Sequence, residues 1–175
     1  MNHIFHLRQA VLVVALLLFA CSGRAPVPEG TPPGLDGLVM YGQSDMDWVL
    51  EHVTIFQTRY DLVDAPPEAV AFLQKVRESV TIKVFMGTWC PDAQRHVPVL
   101  FRALKEADNP RIELRVIGMD RRKQDRDGLV DRYQVEFTPT FVVESGEREL
   151  GRVIETPQID AASDIVTILR NTLPR

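Results

Sequence analysis

Apolar and polar residues along this chain sort into two periods, one helical and one of strand type, and the order in which they follow each other predicts the architecture. Val49, Val53, Phe56 and Tyr60 are spaced for one helix over residues 45–63. His52–Phe56 could instead serve as a short strand there. Ala69, Phe72, Leu73, Val76 and Val80 form an apolar stripe, so residues 68–79 are expected to be helical, opened by Pro66-Pro67 with Glu68 in the first turn. Residues 81–86 alternate as a strand, with Ile82, Val84 and Met86 on one face and Phe85 on the other. Beyond Cys90 a helix turns Ala93, Val97, Leu100, Phe101 and Leu104 inward, and Pro98 inside it should kink it. Residues 112–117 alternate again, and 126–134 carry Leu129, Val130 and Tyr133 on one side of a short helix. Residues 140–144 and 149–154 flank Ser145-Gly146, the pattern of a hairpin. A last helix is expected to open at Thr156-Pro157 and to bury Ala162, Ile165, Val166, Leu169 and Leu173. Helices alternating with strands and closed by a hairpin predict an α/β fold, with a central mixed β-sheet flanked by helices.

The first 44 residues break this pattern. Residues 1–9 are polar with one basic residue, Arg8, and Ala10–Ala20 is an uncharged apolar run. It is a signal-peptide core, too short for a membrane span of about 20 residues. Leu18-Phe19-Ala20-Cys21 resembles the bacterial lipoprotein box, in which the cysteine is lipidated and becomes the first mature residue. Ordinary secretory cleavage near Ala20, or an uncleaved anchor, is the alternative. Ser22–Gly34 is dominated by proline and glycine and reads as an extended tether. The expected organisation is therefore a signal peptide over 1–20, a lipidated Cys21 with its tether over 21–44, and a folded domain over 45–175. It places the domain in the periplasm, held by lipid to the inner or the outer membrane.

Composition narrows the functional classes. The chain has 175 residues, 45% hydrophobic and 25% charged, as in a folded domain. A net charge of −4 with no long basic run gives no support to nucleic-acid binding. Arg121-Arg122-Lys123 with Arg126 reads as a solvated loop balanced by Asp120, Asp125 and Asp127. Cys90, Asp92 and His96 make a poor metal set, because residues six apart lie about 240° apart around a helix. No cofactor motif is visible. If Cys21 is acylated, Cys90 is the one thiol of the mature chain, and a lone thiol in an oxidising compartment calls for an explanation.

Cys90 lies in Val84-Phe85-Met86-Gly87-Thr88-Trp89-Cys90-Pro91-Asp92-Ala93, a strand running through a turn into a helix. Together with Pro98, eight residues on, with Thr138-Pro139-Thr140 ahead of the hairpin and with Gly146 at its turn, this segment resembles the thioredoxin family. The resemblance covers residue 81 to the C-terminus. It implies a thioredoxin-like fold, a cis Pro139 beside Cys90, and a groove formed by Trp89, Pro91, Asp92, Thr138 and Pro139 that accepts an extended substrate segment. Cys90 is expected at the helix N-cap with Pro91 at the first helical position. First-turn N–H groups and the helix dipole would stabilise a thiolate there, and the charge of Asp92 would oppose it. A buried, inert cysteine filling a gap in the core is the plain alternative. Glu155 or Thr156 could approach Cys90, or could only cap the helix that follows.

Two positions depart from the family pattern. Ala93 replaces the second cysteine of Trp-Cys-x-x-Cys, and Val84 replaces the buried aspartate six residues before the first. A mixed disulfide at Cys90 would then need an outside thiol to resolve it. The expected activity is thiol–disulfide exchange, or mixed-disulfide formation, with a protein or small-molecule thiol or disulfide as partner, by a monomer without metal or cofactor. A redox-inactive binding module on the same fold is the alternative.

Overall fold

A computed structural model of the chain describes residues 39–174. Cys21, the expected signal peptide and residues 21–38 of the expected tether lie outside the described residues. The elements run β1 (Gly42–Ser44), α1 (Met46–His52), α2 (Thr54–Leu62), α3 (Pro67–Leu73), β2 (Val80–Met86), α4 (Pro91–Ala107), β3 (Ile112–Gly118), α5 (Leu129–Arg132), β4 (Thr140–Ser145), β5 (Arg148–Ile154) and α6 (Ala161–Thr172). The strands form one mixed sheet in the order β1-β3-β2-β4-β5. β2 and β3 are parallel, and the other neighbours are antiparallel.

The period-2 alternation sorts side chains onto two unequal faces. Ile82, Val84, Met86, Val116, Phe141 and Val143 point into the main core beneath α1–α4 and α6. Phe85, Ile117 and Val142 point the other way, into a small cluster with Met119, Val130 and Val135 around α5. Farther along that second face the residues become polar, and Lys83, Glu144 and Tyr133 form a hydrogen-bonded group.

Several expected boundaries move, each for a local reason. The sheet begins before residue 45: the three-residue β1 falls within the stretch assigned to the tether and pairs with β3, Gly42 opposite Gly118. Residues 45–63 are neither one helix nor a strand. Asp45 caps α1 by accepting the Trp48 N–H at 2.8 Å, and Val53 leaves helical geometry at φ −118°, ψ 88°, which separates α1 from α2. α3 ends at Leu73, and Val80 is the first residue of β2 instead of the end of a helical stripe. The Asp125 carboxylate accepts the N–H groups of Asp127 and Val130, so residues 126–128 stay in a loop and α5 is a single turn. α6 opens after Asp160, whose side chain takes the Ser163 N–H at 2.9 Å, and not at Thr156-Pro157. α4 is one element of 17 residues with Pro98 buried inside it. No described helix is long and apolar enough to cross a membrane.

Candidate functional site

β2 and β3 end side by side, and the chain leaves β2 at Met86 into a tight turn. Cys90 N–H donates to the Gly87 carbonyl at 2.9 Å, which closes the turn and sets Cys90 at the N-cap of α4 with Pro91 as the first helical residue. Crevices at the carboxyl ends of sheet strands are where α/β folds place their sites. The Trp89 ring folds back over Gly87, where a Cβ would stand 2.4 Å from it. Its Nε1–H donates to the Met119 carbonyl at 3.3 Å, which ties the ring to the end of β3.

The second wall comes from the segment leading into β4. Thr138-Pro139 is a cis peptide. The Thr138 hydroxyl accepts the Gly87 N–H at 2.9 Å, which fixes this segment against the turn before Cys90. The Cys90 thiol donates to the Thr138 carbonyl at 3.1 Å. That bond exists only while the sulfur carries its proton. The sulfur accepts no capping N–H from the first turn of α4, contrary to the expectation from the sequence. Cys90 is 6% exposed. The groove therefore holds the thiol closed against the backbone, and a reacting sulfur must exchange the Thr138 carbonyl for another partner.

The other expected groove residues fall into place around this pair. Pro91 is exposed, and Asp92 accepts a hydrogen bond from Arg95 at 3.0 Å, so its charge is partnered within α4. Ala93 is fully buried one turn below Cys90, and Val84 is fully buried beneath the site, so both positions are filled by apolar packing. Glu155 neither caps α6 nor stays free: its N–H donates to the Pro139 carbonyl at 2.7 Å, pinning the end of β5 to the cis-proline. Among the described residues Cys90 is the free cysteine, and no group of His, Cys, Asp or Glu is placed to hold a metal ion. His96 faces inward on α4 with a buried Nε2 that has no partner. Burial, and then the Arg95 charge, lower its pKa below 6.5, while Asp92 and Asp160 act the opposite way.

Sequence reasoning missed the aromatic and cationic rim. Phe137 is 45% exposed immediately before Thr138. Arg121 lies over the Trp89 ring at 5.2 Å, and Lys123 Nζ lies over the Phe137 ring at 5.3 Å. An aromatic residue just ahead of Thr-Pro was the available signal for Phe137, whereas the cations reach the site only through the fold.

Comparison with known proteins places this geometry. A family model described as thioredoxin matches residues 50–167, more than half of the chain. Among solved structures, a protein of unknown function, PA1234, from Pseudomonas aeruginosa is 23% identical, with a TM-score of 0.58, over 75% of this chain and 94% of that one. An HIV epitope scaffold gives the same figures: 23% identity, TM-score 0.58, and 75% and 94% coverage. These likenesses speak to the fold alone. No curated protein matches the chain. With its five-stranded mixed sheet, its cis-proline beside the cysteine and a family match over most of the folded residues, the chain belongs to the thioredoxin family.

Proposed function

We propose that the protein is a lipid-anchored thioredoxin-like protein of the periplasm in which Cys90 forms mixed disulfides that no internal cysteine resolves. One observation carries this reading: Cys90 meets the Thr138 carbonyl across the groove at 3.1 Å, while Ala93 lies buried behind it. The sulfur is thus presented at the backbone edge where an extended partner segment would add. Ala93 offers no thiol to attack a disulfide formed there, so resolution falls to an external thiol.

The anchoring half of the proposal rests on the apolar run ending at Cys21. The chain enters the folded part beside the site: Gly42 pairs with Gly118, and Gly118 pairs with Met86 at the end of β2. A tether fixed at Cys21 would hold the domain by the end that carries Cys90. Replacing Cys21→Ser should release the protein from the membrane fraction.

A second reading is favoured by the same hydrogen bond. A thiol that is 6% exposed and bonded to a carbonyl can serve as a packing residue in a groove that binds without exchange. Recovery of intact mixed disulfides from cells separates the two. The exchange reading expects partners disulfide-linked to the wild type and absent with Cys90→Ser. Capture that persists in Cys90→Ser, with no disulfide adduct in the wild type, would establish the binding module instead.

A further inference from the structure

The loop after β3 carries Arg121, Arg122 and Lys123 in succession, all exposed. Its acidic neighbours are turned to structural use. Asp120 accepts the N–H groups of Arg122 at 2.8 Å and Gln124 at 3.0 Å, and the Asp120 N–H donates to the Gln124 carbonyl. Asp125 is buried on backbone N–H groups, and Asp127 pairs with Arg126. Asp125 is therefore buried away from these cations and Asp127 pairs with Arg126, while the Asp120 carboxylate stays within the loop on backbone N–H groups. Among the described residues none of the three cations is paired with a carboxylate. Two of them are set instead on the aromatic rings of the site, Arg121 on Trp89 and Lys123 on Phe137, and Lys123 also donates to the Glu136 carbonyl. A cation–π contact fixes a cation in position and leaves its outer N–H groups available.

We propose that this loop is a recognition surface for acidic polypeptide, selecting disulfide partners whose carboxylates flank the sulfur that Cys90 attacks. The inference rests on the exchange reading of Cys90 and adds the class of partner. On a chain of net charge −4 an acidic partner is repelled by the whole, and this patch attracts it locally, beside the site. Exposed Glu136 adjoins Phe137, and exposed Glu155 stands at the end of β5, beyond β4. Asp92 is partnered by Arg95. The attraction is therefore centred on the loop after β3, with Glu136, whose carbonyl Lys123 contacts, and Glu155 limiting it toward β4 and β5. An extended segment, rather than a small anion, fits because the cations sit on two separate rings, Trp89 and Phe137. In the covalent step the Cys90 sulfur, its proton given to solvent, attacks one sulfur of the partner disulfide. The Cys90–partner S–S bond forms, the original S–S bond breaks, and the second sulfur leaves as a thiolate with the electron pair.

The test uses purified chain and three short peptides, each with one cysteine activated as the 2-thiopyridyl disulfide and flanked by Asp/Glu, by Lys/Arg or by Ser/Gln. Release of thiopyridone reports formation of the mixed disulfide. At low ionic strength the acidic peptide is expected to react about 5-fold or more faster than the basic one, and salt should erase the difference. The triple variant R121Q/R122Q/K123Q should lose the preference, read as the ratio of acidic-peptide to basic-peptide rates within that variant. R121Q/R122Q, which retains the Lys123 contacts, should lose most of it. Equal rates for all three peptides on the wild type would overturn the acidic-partner inference and leave the exchange reading intact. If glutathione activated as the same 2-thiopyridyl disulfide reacts as fast as the acidic peptide, the commitment to polypeptide fails. If no peptide reacts, the exchange reading fails and the selection of disulfide partners with it; tryptophan emission of Cys90→Ser then tests the acidic recognition surface alone, which acidic-peptide binding lost in the triple variant sustains and absence of binding overturns.

Discussion

Gly87→Ala isolates the contact that shapes the site. A Cβ at Gly87 would stand 2.4, 2.6 and 2.7 Å from Cε2, Nε1 and Cζ2 of Trp89, where ordinary contact is 3.4–4 Å. The ring must withdraw by about 1 Å, an overpacking that typically costs about 1–3 kcal/mol. Its Nε1–H is already 3.3 Å from the Met119 carbonyl, so withdrawal breaks that bond. The ring can instead swing into solvent, losing the hydrogen bond, worth about 1 kcal/mol, and the Arg121 contact, worth about 0.5–1 kcal/mol. Either route predicts a loss of about 2 kcal/mol in urea denaturation. Trp48 stacks on His52 elsewhere, so a Trp48→Phe background lets tryptophan emission report Trp89 alone, with a red shift as the ring is exposed. The decisive form is a double-mutant cycle with Trp89→Ala. Without the ring the added methyl meets little, and Ala in place of Gly should be neutral or stabilising by about 0.5 kcal/mol. Equal destabilisation in both backgrounds would refute the steric argument.

Three further perturbations test other parts of the account. Ala93→Cys restores a thiol at a fully buried position one turn below Cys90; it should convert a persistent Cys90 adduct into an internal disulfide with release of the partner, seen by intact mass, at some cost in stability from the added sulfur. Glu144→Gln removes the carboxylate partner of Lys83, whose side chains are 7% and 12% exposed, and should cost about 3 kcal/mol. Burial lowers the Lys83 pKa, but hydrogen bonds and charge from Glu144 and Tyr133 outweigh it and hold the pKa above 10.5. The ammonium's contribution is therefore fully present below pH 10.5 and is lost as pH rises through the folded value; Glu144→Gln should weaken that alkaline decline. His96 behaves oppositely. Its folded pKa lies below 6.5, so between the two values the unfolded chain binds more protons, and stability falls as pH drops through 6.5. His96→Gln should flatten that slope in denaturation at pH 5–7.5.

The long periodic elements were legible because each buries one face. Ala93, Val97, Leu100 and Phe101 are all buried along α4 as their spacing implies, and Ile82 and Val84 are buried along β2. β1 was not legible: three residues are too few to show alternation, and its pairing comes from Gly118, where Met40 packs so closely that a Cβ would meet its carbonyl oxygen at 2.4 Å. The break at Val53 and the start of α6 were hidden because capping and loop geometry decided them, through Asp45, Asp160 and the Asp164 carboxylate that accepts Gln158 N–H. At the site, the turn and Pro91 could be expected from local sequence, and the cis Thr138-Pro139 from the resemblance to the thioredoxin family. The hydrogen bond from Cys90 to Thr138 could not, because it joins residues 48 apart and replaces the N-cap interaction that the local sequence suggests. The cationic rim was equally hidden, since Arg121 and Lys123 meet Trp89 and Phe137 only through the fold, while the acids near them in sequence hold backbone N–H groups or Arg126.

The central claim is that Cys90 reacts and then has no internal route out. It is tested most directly by intact mass spectrometry of the purified native chain, incubated near neutral pH with a neutral aromatic disulfide and then desalted. The account predicts a single adduct at Cys90 that persists for hours and is released only when an external thiol is added. A native protein that stays unmodified, with Cys90 labelled only after unfolding, would contradict it.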